Sequence, residues 1–543
     1  MQVPAVEQRG GGLAYKWVIM IVIIFGLFMT VLDSTIVNIA IPRLQNAFGA
    51  DLNSVQWVIT VYTLAQGVAT PLTAFFAGRL GTKRFYILSL TAFTIGSFLC
   101  GLSWSLPVLI FFRVLQGLGG AFLFPLSITL LYREFQPHER GLASGILGIP
   151  ILLAPALGPT LGGYIVTFAS WQLIFFVNVP IGIIGVLMAI FLMRDFRVDV
   201  RMSFDLPGFV LSAGGLAAVL YALSDASTDG WGSGKVLGLL IGGLLALVLF
   251  VIVELRTANR GGQPLLDLRV FRNASFTAAN IASVFVAIGL FGGLFLMPLY
   301  LQNLRALSAF QAGLLLLPQA FASMVGVVIG GRLVDRIGVR MVVIPGLILL
   351  TISTWLLTSL TLNTSYGVLQ WALILRGLGF GLAFQPLLVA ALAEIAPRDL
   401  ASASSINTVV RFISQSLGIA ILATLVQSQT TVHYTHLSEQ VTAGSPLGHF
   451  LAQLQAYFVT RGADIVNAHI AAVQVIIRYV QLQSYMLALQ DAFRFSLVLV
   501  IISIVATFFV REQRRATLVT PREMSSEERE EEERARTEAA LAV

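Results

Sequence analysis

The sequence predicts an all-α membrane protein. It has fourteen transmembrane helices in two six-helix bundles, with two inserted helices between them. Three observations carry this. First, 57% of the 543 residues are hydrophobic and only 11% are charged, whereas a soluble domain carries about 25% charged residues. The charges also crowd into the last 33 residues from Arg511, which hold 7 Arg and 9 Glu, so too few remain to cover a water-facing surface. Second, the apolar residues fall into fourteen runs of spanning length. Third, three short motifs recur in the same order at an offset of about 260 residues.

In chain order the runs lie near 17–41, 54–76, 84–104, 107–131, 141–167, 171–193, 205–224, 236–255, 274–301, 310–331, 341–361, 367–393, 402–427 and 491–510. An even number places both termini on one side, and Lys and Arg choose that side. With a cytoplasmic N-terminus, 18 of the 34 Lys and Arg fall in the N-terminal segment and the inside loops, while the outside loops hold only Arg43, Lys235, Arg305, Arg461 and Arg478. The net charge of +7 is therefore mostly a topology signal, and no nucleic-acid partner is needed to explain it.

The expected organisation is a cytoplasmic segment over 1–16, a six-helix bundle over 17–193, and two inserted helices with their linkers over 194–273. A second six-helix bundle covers 274–510, and a charged cytoplasmic tail covers 511–543. The second bundle contains a long polar outside loop, 428–490, with helical stretches such as 463–487. No cleavable signal peptide is expected, because the first apolar run is too long for one.

Several function classes are disfavoured. A single cysteine, Cys100, builds neither a disulfide framework nor a cysteine metal site. His433 and His436 lack a carboxylate to complete a ligand set, so no metal and no cofactor are expected. There is no GxSxG elbow, HExxH or P-loop, which argues against an enzyme.

The repeat is visible in three pairs. Residues 77–84 (AGRLGTKR) resemble 330–340 (GGRLVDRIGVR), 116–120 (QGLGG) with Pro125 resembles 376–381 (RGLGFG) with Pro386, and 139–144 (ERGLAS) resembles 398–402 (RDLAS). Parallel halves of this kind usually enclose a substrate site at the membrane midplane.

Individual residues then stand out. Asp33 lies deep in the first apolar run, where a carboxylate is costly unless paired, protonated or facing water; it is a functional group or half of a structural ion pair. Arg113, Gln116, Gly117 and Gly120 share one face of the fourth helix. A buried guanidinium needs a counter-charge, and Asp33 is the natural partner. In the fifth helix, Ala154, Gly158 and Gly162 repeat every four residues as a small-residue packing face. Pro155 and Pro159 remove backbone donors and favour bending.

On these motifs the chain resembles the major facilitator superfamily, and within it the fourteen-helix drug:proton antiporters of the multidrug efflux type. Asp33 in its Leu32–Pro42 frame is similar to the first-helix motif, and Arg113–Gly120 to the fourth-helix motif proposed for proton coupling. Pro155, Gly158, Pro159, Gly162 and Gly163 are similar to the antiporter motif. Trp171…Asn178-Val179-Pro180, Asp205-Leu206-Pro207-Gly208 and Ala401…Asn407…Arg411…Gly418 resemble signatures of the fourteen-helix branch. The resemblance covers about 14–427 and 480–510.

It implies two major-facilitator bundles and a proton-driven exporter of apolar or amphipathic small molecules, working by alternating access without a cofactor. Asp33, Arg113 and Gln116 would couple protons to substrate. Asn38, Tyr62, Gln66, Gln385 and Asn407 are candidate cavity-lining residues, or equally helix–helix hydrogen bonds. Gly331, Asp335, Arg336, Gly338 and Arg340 would form a cytoplasmic latch. The first copy of the latch departs from the family pattern, with Gly78 at the aspartate position. Expected partners are a small-molecule substrate, protons and the bilayer, with 428–490 a candidate surface for an adaptor and a monomer as the assembly. The expected location is a cell inner (plasma) membrane. A facilitated or proton-coupled carrier of a specific metabolite or lipid-like compound is the alternative.

Overall fold

The computed structural model describes residues 14–50, 52–194, 204–396, 399–442 and 444–510. The N-terminal segment 1–13, the linker 195–203 and the charged tail from 511 lie outside the described residues. Among the described residues the regular elements are helices, with no strands. The first half contains α1 (Tyr15–Phe48), α2 (Leu52–Ala69), α3 (Thr73–Leu80), α4 (Thr82–Gly101), α5 (Leu106–Ala121), α6 (Leu123–Glu134), α7 (Arg140–Phe168), α8 (Leu173–Phe176) and α9 (Asn178–Leu192). The inserted pair is α10 (Leu206–Asp229) and α11 (Gly234–Asn259). The second half contains α12 (Ala274–Leu299), α13 (Ala309–Ile337), α14 (Val339–Leu357), α15 (Tyr366–Leu392), α16 (Leu400–Glu439), α17 (Pro446–Thr460) and α18 (Ile465–Thr507).

Among the described residues thirteen segments are long and apolar enough to cross a bilayer, and α12, with a shorter apolar stretch over Ala274–Gly289, makes the fourteenth. The pairs α2–α3, α5–α6 and α8–α9 each make one span, so the fourteen expected spans are all present. The break in the α5–α6 span has a chemical origin. Pro125 has no N–H to give to the Ala121 carbonyl one turn back. The Thr70 hydroxyl, which donates to the Gln66 carbonyl at 2.7 Å, lies 3.3 Å from the Ala121 carbonyl oxygen and sets the α2–α3 junction against the break.

The internal repeat is carried into the backbone. Gly81 at the α3–α4 turn has φ 82° and Gly338 at the α13–α14 turn has φ 91°, a region that residues with a Cβ rarely adopt. The halves meet chiefly along α7 and α13, and also where α16 packs on α6 and α3. The inserted helix α10 packs against α2 of the first half and α16 of the second. Trp57 stacks on Tyr221 with ring centroids 5.4 Å apart, and the Trp231 indole donates to Thr424 at 2.8 Å.

The segment 428–490, expected as a polar loop with helical stretches, is helical nearly throughout. At 40 and 43 residues, α16 and α18 are about 60 Å long, twice a hydrocarbon core of about 30 Å. Both therefore project beyond the membrane, at the end opposite to where α1 begins and α18 finishes, and α17 packs against the α18 projection. At the base of the projection, His433 meets Asp491 at 2.7 Å and Asp491 also pairs with Arg494 at 2.7 Å. The sequence reading left His433 without a carboxylate, because its partner lies 58 positions further along the chain.

Candidate functional site: a buried carboxylate cluster, an interface latch and a central crevice

Asp33 is fully buried, and its carboxylate is saturated by three side chains from two other helices. Arg113 Nη1 donates to Oδ2 at 2.6 Å, while Gln116 Nε2 and Asn178 Nδ2 donate to Oδ1 at 2.9 and 3.0 Å. Asp33 comes from α1, Arg113 and Gln116 from α5, and Asn178 opens α9. Gln116 sits one turn beyond Arg113, so its amide oxygen takes a second bond from Arg113 Nη1 at 2.8 Å while its nitrogen reaches Asp33.

Arg113 is held through Nε as well, while its Nη2 is buried without a hydrogen-bond partner among the described residues. Its Nε donates to the Val58 carbonyl of α2 at 2.9 Å, and the guanidinium lies over the Tyr62 ring, 4.0 Å from its centroid. Ser97 of α4 orients Asn178 at 3.2 Å. Both members of the pair are wholly shielded, with 0% side-chain exposure. Such a pair is held by its geometry and extra hydrogen bonds rather than by Coulomb attraction alone. Protonating Asp33 would leave three donors facing a neutral acid, so the cluster can hold together in one protonation state and loosen in the other. Arg113 is seven residues into α5, about 10 Å from that helix's start, which places the cluster in the half of the bundle nearer the projecting helices.

The glycines and prolines of the fifth span lie on α7 and bring it against this region. A Cβ on Gly158 would sit 2.3 Å from Thr35 Oγ1, and one on Gly162 would sit 2.9 Å from an Ile36 side-chain carbon. The small face thus packs on α1 less than one turn beyond Asp33. Gly163 lies against the Phe310 backbone of α13. Pro155 and Pro159 fall within α7, which runs unbroken from Arg140 to Phe168.

At the end where α1 begins, Asp335 of α13 caps α7. Its Oδ1 and Oδ2 accept from the Gly141 and Leu142 backbone N–H groups at 3.0 and 2.9 Å, which are the first amides of α7. Helix N-termini carry unsatisfied N–H groups and a partial positive charge, so the carboxylate joins the two halves there. Gly331 permits the approach, since its Cβ would fall 2.3 Å from the Gly141 carbonyl oxygen. Two other motif residues act elsewhere. Gly338 forms the α13–α14 turn, and Arg340 donates from Nε to the Val510 carbonyl past the end of α18. Glu139 pairs with Lys16 of α1 within the first half.

The candidate cavity residues separate. Tyr62 and Gln66 are buried in the first half, with the Tyr62 hydroxyl donating to the Thr30 carbonyl at 3.3 Å. Asn38 is exposed on α1, outside the cluster. Gln385 crosses the interface, donating to the Ser144 carbonyl at 3.3 Å. Asn407 donates to Asn280 at 3.0 Å and lines a narrow central crevice with Phe124, Ser283, Phe384 and Arg411.

A family model described as Major Facilitator Superfamily matches residues 23–419. The chain belongs to the major facilitator superfamily. This major facilitator is 32% identical over 502 residues to the uncharacterized MFS-type transporter YhcA of Bacillus subtilis, covering 92% of this chain and 94% of that one. It is 32% identical over 423 residues to the multidrug export protein EmrB of Escherichia coli K12, covering 77% of this chain and 82% of that one. Among solved structures it is similar to the human organic anion transporter MFSD10 (TETRAN), with TM-score 0.58 over 89% of this chain and 99% of that one. At 12% identity that likeness shows the fold alone. Superfamily members are carriers, so this is a multi-pass membrane transporter and not an enzyme.

The sequence reading brought Asp33, Arg113 and Gln116 together, but did not place Asn178, Ser97 or the Val58 carbonyl beside them. Asn178 was visible within the Asn-Val-Pro motif at the start of its helix. Nothing in the local pattern showed that its side chain turns towards α1.

Proposed function

We propose that this major facilitator is a proton-coupled exporter of apolar or amphipathic small molecules, working by alternating access, with Asp33 as the proton-exchanging group. The observation that supports this best is the sealed Asp33–Arg113 pair with its two amide donors. An intramembrane carboxylate so completely satisfied changes its whole hydrogen-bonding pattern when it takes a proton. α7 packs on α1 beside Asp33 through Gly158 and Gly162 and on α13 of the other half through Gly145 and Gly163, so a change at Asp33 has a direct mechanical route to the interface. In this reading protonation from outside releases substrate, and deprotonation towards the inside resets the carrier. Relatives named for multidrug resistance, multidrug export and tetracenomycin C resistance and export support small-molecule efflux. The arginine-rich end is assigned to the cytoplasm of an inner (plasma) membrane, with both termini there.

The test is transport in proteoliposomes with an imposed proton gradient. Gradient-driven accumulation that disappears in Asp33→Asn, while that variant still elutes as a folded protein, is the expected result. Coupled transport at the wild-type rate by Asp33→Asn would remove the assignment, and equilibration without accumulation would make the protein a facilitator.

A further inference from the structure

Three arginines lie well inside the membrane-spanning helices, and the structure treats them differently. Arg113 is ion-paired and sealed. Arg376 of α15 is also sealed, with Nη1 donating to the Thr354 hydroxyl at 3.1 Å. Arg411 of α16 is only partly buried and opens into the central crevice. It lies eleven residues beyond the start of α16, about 16 Å along the helix, close to the middle of a hydrocarbon core. Among the described residues it is held by the face of Phe124, 3.7 Å from guanidinium carbon to ring centroid. Among the described residues no carboxylate pairs with it and none lines the crevice.

A cation at this depth is costly, and a ring face returns only part of its lost hydration. The N–H fork of Arg411 is unused by the protein, and its geometry suits two parallel bonds to an oxyanion. Asn407, Ser283 and Ser414 add polar groups around it, while Phe124 and Phe384 supply apolar wall. Phe124 belongs to the first half and Arg411 to the second, so a ligand seated between them bridges the two bodies that move past each other.

We propose that Arg411 is the anion-recognition residue of the transport site, and that the substrates are amphiphiles bearing an acidic group, a carboxylate or sulfonate on an aromatic or aliphatic body. This rests on the exporter reading above and specifies its substrate class. The acid group takes the guanidinium fork, and the apolar body lies against the phenylalanines as the Phe124 ring lifts away. Cationic drugs find no counter-charge in this crevice and meet a like charge.

The experiment uses the full-length protein in proteoliposomes with an imposed proton gradient. Three probes share one dansyl body and carry a carboxylate, a carboxamide or a trimethylammonium group. The wild type is expected to move the carboxylate at least tenfold faster than the trimethylammonium probe. Arg411→Ala and Arg411→Gln are expected to collapse the carboxylate-to-carboxamide ratio about tenfold, and Arg411→Lys to restore part of it. A wild type that carries the cation as fast as the acid overturns the proposal while leaving the exporter reading in place. So does an Arg411→Gln variant whose three rates fall in equal proportion, which would make Arg411 a brace against Phe124. If the gradient drives none of the three probes in wild type, the exporter reading falls and this proposal with it.

Discussion

Replacing Asp335 with asparagine should open the end of the transporter at which α1 begins. The carboxylate accepts two bonds from the first amides of α7, at 3.0 and 2.9 Å. Hydrogen bonds to a charged acceptor contribute about 1.5–3 kcal/mol each, and a negative charge at a helix N-terminus adds about 0.3–1 kcal/mol. Asparagine keeps one acceptor oxygen, loses the charge, and turns an amide donor towards a backbone N–H. Asp335 is only half-buried, so water recovers part of the loss, leaving about 1.5–2 kcal/mol. That moves the ratio of closed to open forms about 10- to 30-fold. Spin labels replacing Arg79 and Arg332, both exposed and on opposite halves, report it as a distance distribution in a Cys100→Ser background. Asp335→Asn is expected to enlarge the long-distance population, with little change in intrinsic substrate binding. Gly78→Asp, which adds a carboxylate on α3 where it packs on α16, is expected to shrink that population. An unchanged distribution in Asp335→Asn would show that the two bonds only finish a helix end, and the latch argument would be wrong.

Arg113→Lys should abolish coupled transport, because an ammonium can replace the contact with Asp33 but not hold Val58, Gln116 and Asp33 at once; wild-type turnover by this variant in the gradient assay would reduce Arg113 to a point charge. Asn178→Ala removes one of the two amide donors on Asp33 Oδ1 and is expected to lower coupled transport about tenfold, equivalent to about 1.4 kcal/mol, with near-normal thermal unfolding; an unaltered rate would make the amide incidental. Gly158→Ala forces a methyl to 2.3 Å from Thr35 Oγ1, an overpacking of about 1–3 kcal/mol that should appear as a lower midpoint of thermal unfolding and slower transport. Adding Thr35→Gly should recover much of both, and failure of that rescue would mean that the α1–α7 contact is not what the methyl disturbs.

The spans, the repeat and the buried ion pair were legible in the sequence because lipid constrains each segment by itself. A run must be long enough and apolar enough to cross, whatever its neighbours are. That criterion located all fourteen crossings and made each intramembrane charge conspicuous, so Asp33 and Arg113 could be matched almost by scarcity. Neutral polar residues carry no such flag. Asn178, Ser97 and Gln385 look like many other tolerated amides and hydroxyls in membrane helices. The extent of the projection was understated for the opposite reason: outside the bilayer the apolar-length criterion lapses, and the polar outer parts of α16 and α18, helices of 40 and 43 residues, resemble a loop with helical stretches to a reading built on hydropathy.

The sequence alone determined that the chain is a fourteen-span membrane protein with two related halves and a carboxylate–guanidinium pair inside the first. Tertiary structure alone decided that Asn178 completes the Asp33 shell, that Asp335 crosses the interface to cap α7 while Arg340 stays with its own half, that Asn38 lies outside the cluster, and that Arg411 faces the central crevice. The physical reason is that insertion into lipid depends on the composition of each segment. The rotation of a helix and its choice of neighbour depend instead on small-residue packing and hydrogen bonds between positions far apart in the chain, such as the 145 residues that separate Asp33 from Asn178.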